Sequence, residues 1–387
     1  MMDRATKDGR ILLGPGPSNC HPSVLKAMSQ PLLGHLDPDF LAIMDETQNL
    51  LRRIMKTGNK LTLPVSGTGS AGMEACLVNL VEHGDPVLIC INGAFGTRMA
   101  DIVERIGGRL HTVQAEWGKP LDPESIEAAV RACHPKVLAI VHAETSTGVL
   151  QPLPDVSRIA HDAGALFLVD AVTSLGGSDV DTDGWGMDAA YSGTQKCLSC
   201  PPGLAPVSFG PRAVEAMDAR KAKVQSWYLD MTLVRKYWGA DRTYHHTAPI
   251  SMVYALRQAL RLVAKEGLGA RFGRHLLNHR ALVAGLEAMG LRMLVDEPYR
   301  APMLNAVLIP EGVDDKRVRR ALLTDYNVEI GGGLGPLAGR IWRIGLMGHS
   351  CRPENVLLLL DALERILKAE GAAVRTGGAA AAEAAYG

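Results

Sequence analysis

A single lysine, Lys196, lies in the segment YSGTQKCLSCPPGLA (residues 191–205), where its neighbours are mostly Ser, Gly, Thr, Cys and Pro. These residue types favour a loop, so Lys196 is not carried on a solvated helix face. Two interpretations are open. Lys196 is an ordinary surface lysine, or its amine is held in place for covalent chemistry with a carbonyl group.

Asp170 is a second candidate for chemistry, because it ends the apolar run ALFLVD (residues 165–170). Burying a carboxylate is costly unless a cation meets it, and a protonated pyridine nitrogen is one such cation. The alternatives are a helix N-cap and a solvent-exposed strand end. A lone aspartate does not decide between them.

The loop SGTGSAG (residues 66–72) contains the pattern G-x-G-x-x-G between a predicted strand and a predicted helix. A dinucleotide-binding fold also needs an acidic residue at the end of the next strand, which here ends at Asn92. An NAD-linked oxidoreductase is therefore disfavoured. Backbone N–H groups at the helix start, with the hydroxyls of Thr68 and Ser70, can still hold a phosphate. A plain helix N-cap turn is the alternative.

The phosphate cradle, the carboxylate and the amine all follow predicted strands of one sheet. In an open parallel sheet, ligands bind at the carboxyl ends of the strands. Pyridoxal 5'-phosphate (PLP) requires these three groups: a cradle for its phosphate, an acid for its ring nitrogen and an amine for its aldehyde. Their order along the chain predicts a PLP site.

Arg343 lies among apolar residues in the strand-like run IWRIGLMG (residues 341–348). An unpaired guanidinium there would be costly, so an anion is expected beside it. The planar fork of arginine matches a carboxylate. The anion is either the α-carboxylate of an amino or keto acid, or a partner in a structural salt bridge between domains.

Composition and charge narrow the classes of function. The 387 residues include 41 Lys and Arg against 41 Asp and Glu, so we expect small-molecule substrates and no nucleic-acid or membrane partner. The seven cysteines are irregularly spaced, which predicts reduced thiols, no metal site and a cytoplasmic location. The N-terminal MMDRATKDGR lacks the apolar core of a signal peptide, and no apolar run is long enough to span a membrane.

Seven short apolar runs alternate with helical periods between residues 60 and 210. This α/β pattern predicts a large domain on a mostly parallel seven-stranded sheet. Beyond residue 250 the pattern predicts a smaller C-terminal α+β domain, with strands near 291–295, 303–309 and 340–346. The predicted units are an N-terminal arm (1–20), the large domain (21–260), the small domain (261–370) and a disordered Ala/Gly-rich tail (371–387).

The sequence resembles the class V aminotransferases of the PLP fold type I group, and among them the enzymes acting on alanine or serine with glyoxylate or pyruvate. The resemblance extends from LLGPGPSN (12–19) to IWRIGLMG (341–348). Its most specific motifs are SGTGSAGMEA, HAETSTGVLQP, VDAVTSLGG, YSGTQKCLSCPPG, TYHHTAPI and EIGGGLG.

The resemblance implies a role for each matching residue. Lys196 would form a Schiff base with PLP, and Asp170 would pair with the pyridine nitrogen. Arg343 would bind the substrate carboxylate beside the arm backbone at Gly16, and the arm would contribute to the site and to a homodimer. The cofactor ring would be contacted by three residues: Val172, Phe95 and Thr145. The phosphate would be held by Thr68, Gly69, Ser70 and Gln195 of the same subunit, and by Tyr244 and Thr247 of the neighbouring subunit.

Three positions depart from the family pattern. Phe95 replaces a tryptophan, and Thr68 and Thr145 stand where serines are common. A phenyl ring still stacks on a cofactor ring, but it offers less area and no indole N–H. These departures bear on cofactor affinity and substrate fit.

The implied reaction passes the amino group of a small neutral amino acid, alanine or serine, to glyoxylate, with Lys196 as anchor and base. Pyruvate is an alternative acceptor. A cysteine desulfurase would need a mobile nucleophilic cysteine, whereas Cys351 follows the substrate arginine and does not lie in a long flexible loop. A non-catalytic amino-acid-binding protein would leave the combination of lysine, aspartate and arginine unexplained.

Overall fold

The computed structural model describes residues 9–387, and its strands form one large sheet, one small sheet and two short pairs. The strands in chain order are β1 (Ile11–Leu12), β2 (Leu61–Ser66), β3 (Pro86–Ile91), β4 (Arg109–Gln114), β5 (Val137–Val141), β6 (Ala143–Glu144), β7 (Val149–Leu150), β8 (Leu166–Asp170), β9 (Ala189–Tyr191), β10 (Leu204–Phe209), β11 (Leu304–Leu308), β12 (Val328–Glu329), β13 (Gly331–Gly332) and β14 (Ile341–Gly345).

Helices lie between and around these strands. The α-helices in chain order are α1 (Pro22–Met28), α2 (Pro38–Met55), α3 (Gly69–Leu80), α4 (Ala94–Arg105), α5 (Pro123–Cys133), α6 (Pro154–Asp162), α7 (Pro211–Asp218), α8 (Met231–Trp238), α9 (Ile250–Glu266), α10 (Leu268–Ala288), α11 (Asp315–Asp325), α12 (Pro353–Ala369) and α13 (Gly378–Ala385). Short 3-10 turns cover Glu297–Tyr299, Gly335–Leu337 and Gly348–Ser350. None of the helices in residues 9–387 is long and apolar enough to cross a membrane.

The large sheet has seven strands in the order β2-β10-β9-β8-β5-β3-β4. The five strands from β9 to β4 are parallel, and β10 is antiparallel to both of its neighbours. Strands such as β5 (VLAIV) and β8 (LFLVD) are buried along their whole length, as expected for parallel strands covered by helices on both faces. The prediction of a mostly parallel, seven-stranded α/β sheet is confirmed.

The C-terminal part of the chain has its own sheet and core. Strands β11, β14 and β13 form an antiparallel sheet, and β1 pairs in parallel with β12, so the N-terminal segment is joined to this part. The core includes Trp342, Leu282 and Leu363, each with no exposed surface. The strand predicted near 291–295 is absent from the described chain, where only an isolated bridge joins Met293 to Val307.

The tail at residues 371–387 differs from the disorder predicted for it. It contains helix α13, which packs on α10 and α12 and buries Ala382. A Cβ on Gly285 of α10 would lie 2.7 Å from the carbonyl oxygen of Gly378, so the two helices approach closely through residues without side chains. The Tyr386 hydroxyl also donates to Asn278 Oδ1 at 2.8 Å. Small residues have little apolar area to bury, but the small residues of α13 make close van der Waals contact with α10.

Candidate active site

Lys196 lies in a loop beyond the carboxyl end of β9, and its side chain is buried at 7% exposure. Its amine donates a hydrogen bond to the carbonyl oxygen of Pro15 in the N-terminal segment. Burial, and after it the nearby Arg343, lower the pKa of Lys196 to about 8, against the opposite effect of neighbouring acidic groups. A buried amine with this pKa excludes the interpretation as a surface lysine and gives a larger neutral fraction at neutral pH than an ordinary lysine has.

The N-terminal segment packs on the Lys196 side chain through Gly16. This glycine has φ +101°, and a Cβ there would lie 2.6 Å from Lys196 Cδ. Both the backbone conformation and the space therefore require glycine. The family resemblance implies Gly16 beside the substrate carboxylate bound by Arg343, whereas the structure shows it against the Lys196 side chain, a contact that was not predicted.

Gly16→Ala is expected to lower the free energy of unfolding by about 2–3 kcal/mol, since it adds a steric clash to a strained φ. Urea unfolding measures this loss. Gly312→Ala is a matched control, because Gly312 has φ +81° and an added Cβ would meet nothing within 4 Å. The control should lose only about 1 kcal/mol. Equal losses for the two variants would show that the contact with Lys196 is unimportant.

Asp170 ends β8, and only 2% of its surface is exposed. Oδ1 accepts a hydrogen bond from the Val172 N–H at 2.8 Å, and Oδ2 accepts one from the Tyr191 hydroxyl at 2.7 Å. Burial raises the pKa of Asp170 to about 6, although both hydrogen bonds lower it. Asp170 is therefore neither a helix N-cap nor an exposed strand end, and a cation such as a protonated ring nitrogen would stabilise its charge.

The predicted phosphate cradle is the start of α3. Thr68 is its N-cap residue, but no side chain caps the helix, so the first N–H groups are left for a ligand. The Ser70 hydroxyl accepts a hydrogen bond from Arg98 Nη1 at 3.2 Å. Gln195 Oε1 is buried and has no hydrogen-bond partner within the described chain. Because a flip exchanges the oxygen and nitrogen of an amide, this side chain can present its N–H groups to a phosphate.

The predicted ring contacts come from two sides. Val172 follows β8, and a Cβ on Gly69 would lie 3.3 Å from its Cγ2, so the cradle and Val172 are in close contact. Phe95 lies in the first turn of α4, with the Arg98 guanidinium 4.8 Å from its ring centroid. Thr145 is buried in the turn between β6 and β7, where its hydroxyl is hydrogen-bonded to that of Thr173.

Arg343 lies in the middle of β14 and is buried at 7% exposure. Its Nε donates to the Gly332 carbonyl at 2.7 Å, and its Nη1 donates to the Thr145 carbonyl at 3.2 Å. None of the ion pairs formed by residues 9–387 includes Arg343, so the interdomain salt bridge considered above is not formed. The guanidinium therefore keeps its charge for another anion at the site.

Tyr244 and Thr247 are not brought to this site within one chain. Both are exposed, and Tyr244 packs on His35 with ring centroids 5.1 Å apart. Their segment is held to the end of β2 by a hydrogen bond of 2.7 Å between His246 Nε2 and Ser66 Oγ.

The site also contains residues that sequence reasoning did not single out. Tyr191 donates a hydrogen bond to Asp170, and Thr173 is hydrogen-bonded to Thr145. Gly193 lies against Gln195, and Glu144 is a buried carboxylate beside Phe95. No group of three His, Cys, Asp or Glu side chains is arranged to hold a metal ion in residues 9–387.

The residues present fit PLP. An uncapped helix start and an orphaned buried amide suit its phosphate. A buried aspartate suits its ring nitrogen, and a buried amine of lowered pKa suits its aldehyde.

Comparisons with known proteins agree with this fit. The family model for class V aminotransferases matches residues 11–352. The chain is 42% identical over 386 residues to an (S)-ureidoglycine–glyoxylate transaminase of Bacillus subtilis (strain 168), covering 95% of this chain and 93% of the relative. It is 41% identical over 372 residues to an alanine–glyoxylate aminotransferase of Drosophila melanogaster, covering 95% and 94%.

A solved structure agrees as well. The crystal structure of an alanine–glyoxylate aminotransferase from Nostoc sp. matches with a TM-score of 0.93 and 51% identity, covering 95% of this chain and 97% of that one. The fold is PLP fold type I, and the cofactor is PLP. By its sequence, its fold and the residues of its site, the chain belongs to the class V aminotransferase family.

Proposed function

We propose that this PLP-dependent aminotransferase transfers the amino group of a small uncharged amino acid, alanine or serine, to glyoxylate. The observation that carries the proposal is Arg343, a buried guanidinium with no carboxylate partner in the described chain, next to the Thr145 turn. An amino acid and a keto acid share one α-carboxylate, so a single arginine serves both half-reactions. The names of the relatives support glyoxylate as the acceptor.

The residues of the chain divide the work of the reaction. Bound PLP supplies an electron sink for the negative charge that develops at the substrate Cα. Lys196 would hold the cofactor through its amine, and as a neutral amine it would remove the Cα proton of the substrate and later return a proton. Asp170 would keep the ring nitrogen of the cofactor protonated. Arg343 would bind the carboxylate of the substrate and so orient the substrate.

The arginines near the site favour a donor without a side-chain charge. Arg98 is hydrogen-bonded to Ser70 and lies over Phe95, and Arg319 is paired with Asp315 at 2.7 Å. Arg319 is therefore not available to a second carboxylate. Arg98 forms no ion pair in the described chain, but it lies at the predicted phosphate cradle, so we expect it to serve the phosphate and not the side chain of aspartate or glutamate. A second candidate donor is (S)-ureidoglycine, because it is the substrate in the name of the Bacillus relative.

The cysteines argue against a desulfurase. Cys351 has no exposed surface, and burial raises the pKa of its thiol to about 12. A thiol in this state is neither mobile nor nucleophilic. All seven cysteines are free thiols, which supports our proposal of a reducing, cytoplasmic location.

A donor and acceptor screen of the purified holoenzyme tests the proposal. Alanine, serine, freshly prepared (S)-ureidoglycine and glutamate are each assayed against glyoxylate, and the last three also against pyruvate, because alanine and pyruvate only exchange into each other without net change. We expect glyoxylate to give the higher kcat/KM, and each uncharged donor to exceed glutamate at least about tenfold, the effect of one unpaired buried charge. A preference for glutamate, or for pyruvate over glyoxylate, would overturn it.

We also propose a homodimer in which Tyr244 and Thr247 reach the phosphate in the other subunit. Large apolar side chains are exposed on the described chain, with Leu32 at 69%, Trp227 at 62% and Tyr244 itself at 56%, and Trp227 stacks on His245, the neighbour of Tyr244, with ring centroids 4.3 Å apart. Such side chains on one surface are typical of an interface between subunits.

Tyr244→Ala is expected to weaken PLP binding about 10–100-fold, because a hydrogen bond to a charged phosphate is lost. Fluorescence titration of the apoenzyme measures this change. Tyr244→Ala and Lys196→Ala subunits are then mixed. If Tyr244 serves the other subunit, the mixed dimer contains one intact site and activity returns. No recovery, despite dimers seen by light scattering, would place Tyr244 outside the shared site.

A further inference from the structure

Glu144 is a buried carboxylate at the end of β6 that the reaction described above does not use. Only 1% of its surface is exposed. It is the last residue of β6, directly before Thr145 in the turn that leads to β7. A carboxylate in such a position needs hydrogen bonds to both of its oxygens.

Both oxygens of Glu144 are satisfied by donors from two different segments. Oε2 accepts from the N–H groups of Phe95 at 3.1 Å and Gly96 at 3.4 Å. Oε1 accepts from the Ser146 N–H at 3.0 Å and the Ser146 hydroxyl at 2.6 Å. A Cβ on Gly93 would lie 2.3 Å from Glu144 Cγ, so glycine there makes room for the carboxylate.

These two segments form different walls of the site. The first turn of α4 carries Phe95, the expected ring-stacking residue, and its N-cap residue Gly93 provides no side-chain cap. The turn after β6 carries Thr145, whose carbonyl accepts a hydrogen bond from Arg343. The Ser146 hydroxyl accepts from the Ala94 N–H at 2.9 Å and so joins the same two segments again.

We propose that Glu144 is a positioning residue whose single carboxylate joins the wall that stacks on PLP to the wall that orients the substrate-binding arginine. Without it, the start of α4 loses its cap and the Thr145 carbonyl loses its support. Phe95 and Arg343 then shift independently of each other. The proposal extends the established cofactor use to a residue that touches neither PLP nor substrate.

The charge of Glu144 acts on the same groups. Burial raises the pKa of Glu144, but four donors and the positive end of α4 favour the ionised form. This negative charge raises the pKa of Lys196 and of Arg343, because it stabilises their positive charges. It also raises the pKa of Asp170, because it repels the like charge of that carboxylate. Removing it should therefore make a protonated nitrogen at Lys196 less stable.

Glu144→Gln tests the charge with little change in shape. In the holoenzyme, the pH at which the visible absorbance of the lysine-bound cofactor titrates is expected to fall by about half a unit or more. Because an amide cannot accept from all four donors, the Kd of PLP for the apoenzyme should rise about tenfold. KM should rise for both substrates by more than kcat falls. The melting temperature of the apoenzyme reports separately whether the variant folds.

Two further variants complete the experiment. Glu74→Gln makes the same change on the exposed face of α3. It should leave unchanged both the pH midpoint of the absorbance titration and the Kd of PLP. Glu144→Asp keeps the charge but shortens the reach, so it should restore the midpoint while the Kd stays raised. A folded Glu144→Gln variant with the pH midpoint and the PLP Kd of the wild type would overturn the proposal. A raised Kd with an unchanged pH midpoint would also overturn it, because it would mean that Glu144 acts only through packing and not through its charge.

Discussion

Lys196→Ala is expected to lower kcat by at least about 10⁴-fold, because the variant loses both the covalent anchor of the cofactor and the base. Lys196 is the amine buried at the carboxyl edge of the sheet, with its pKa lowered to about 8. The visible absorbance of the lysine-bound cofactor should disappear as well. Steady-state kinetics and an absorbance spectrum of the purified variant measure the two effects.

Further variants separate chemistry from folding. Lys316→Ala removes an exposed lysine of α11 and should retain full activity. Lys196→Arg keeps a positive charge, but a guanidinium stays protonated and cannot act as a base, so it should be as inactive as the alanine variant. A small added amine should restore part of the activity of Lys196→Ala, since it can replace the missing base. Turnover and visible absorbance retained in Lys196→Ala would refute the role of this residue.

The large sheet could be predicted because its strands carry a strong signal. Runs such as those of β5 and β8 are apolar at every position, apart from the final aspartate of β8, and they are buried on both faces. The disorder predicted for the tail (residues 371–387) was wrong for the opposite reason. Its Ala and Gly residues bury little area, so composition indicated disorder, whereas the close approach of α13 to Gly285 depends on the position of α10. Composition alone contains no information on that distance.

The first groups of the site could also be predicted, since each follows a strand. Lys196, Asp170 and the start of α3 meet because parallel strands end at one edge of the sheet. Their hydrogen-bond partners could not be deduced, because they depend on register. Tyr191 reaches Asp170 because the two residues are paired across β8 and β9. Glu144 carried a usable signal, because it comes shortly after the buried strand β5, and the argument about buried charge that applies to Asp170 applies to it as well.

Asp170→Asn is expected to lower kcat by about 10³-fold. The carboxylate is buried at 2% exposure and accepts hydrogen bonds from Val172 and Tyr191, which orient it and favour its charge. An amide in this place keeps the shape but cannot balance a positive ring nitrogen, so charge at the substrate Cα is no longer stabilised through the ring. Tyr191→Phe removes one of the two hydrogen bonds and leaves the carboxylate, so its kcat should fall less than about tenfold.

The state of the ring nitrogen gives the sharper measurement. A cofactor analogue methylated at that nitrogen has a permanent positive charge, and it should recover part of the activity of Asp170→Asn while adding nothing to the wild type. Recovery would locate the defect in the lost charge, because a merely misfolded site gains nothing from the analogue. An Asp170→Asn variant that kept more than about a tenth of the wild-type kcat would mean that this carboxylate contributes no more than an ordinary buried hydrogen bond.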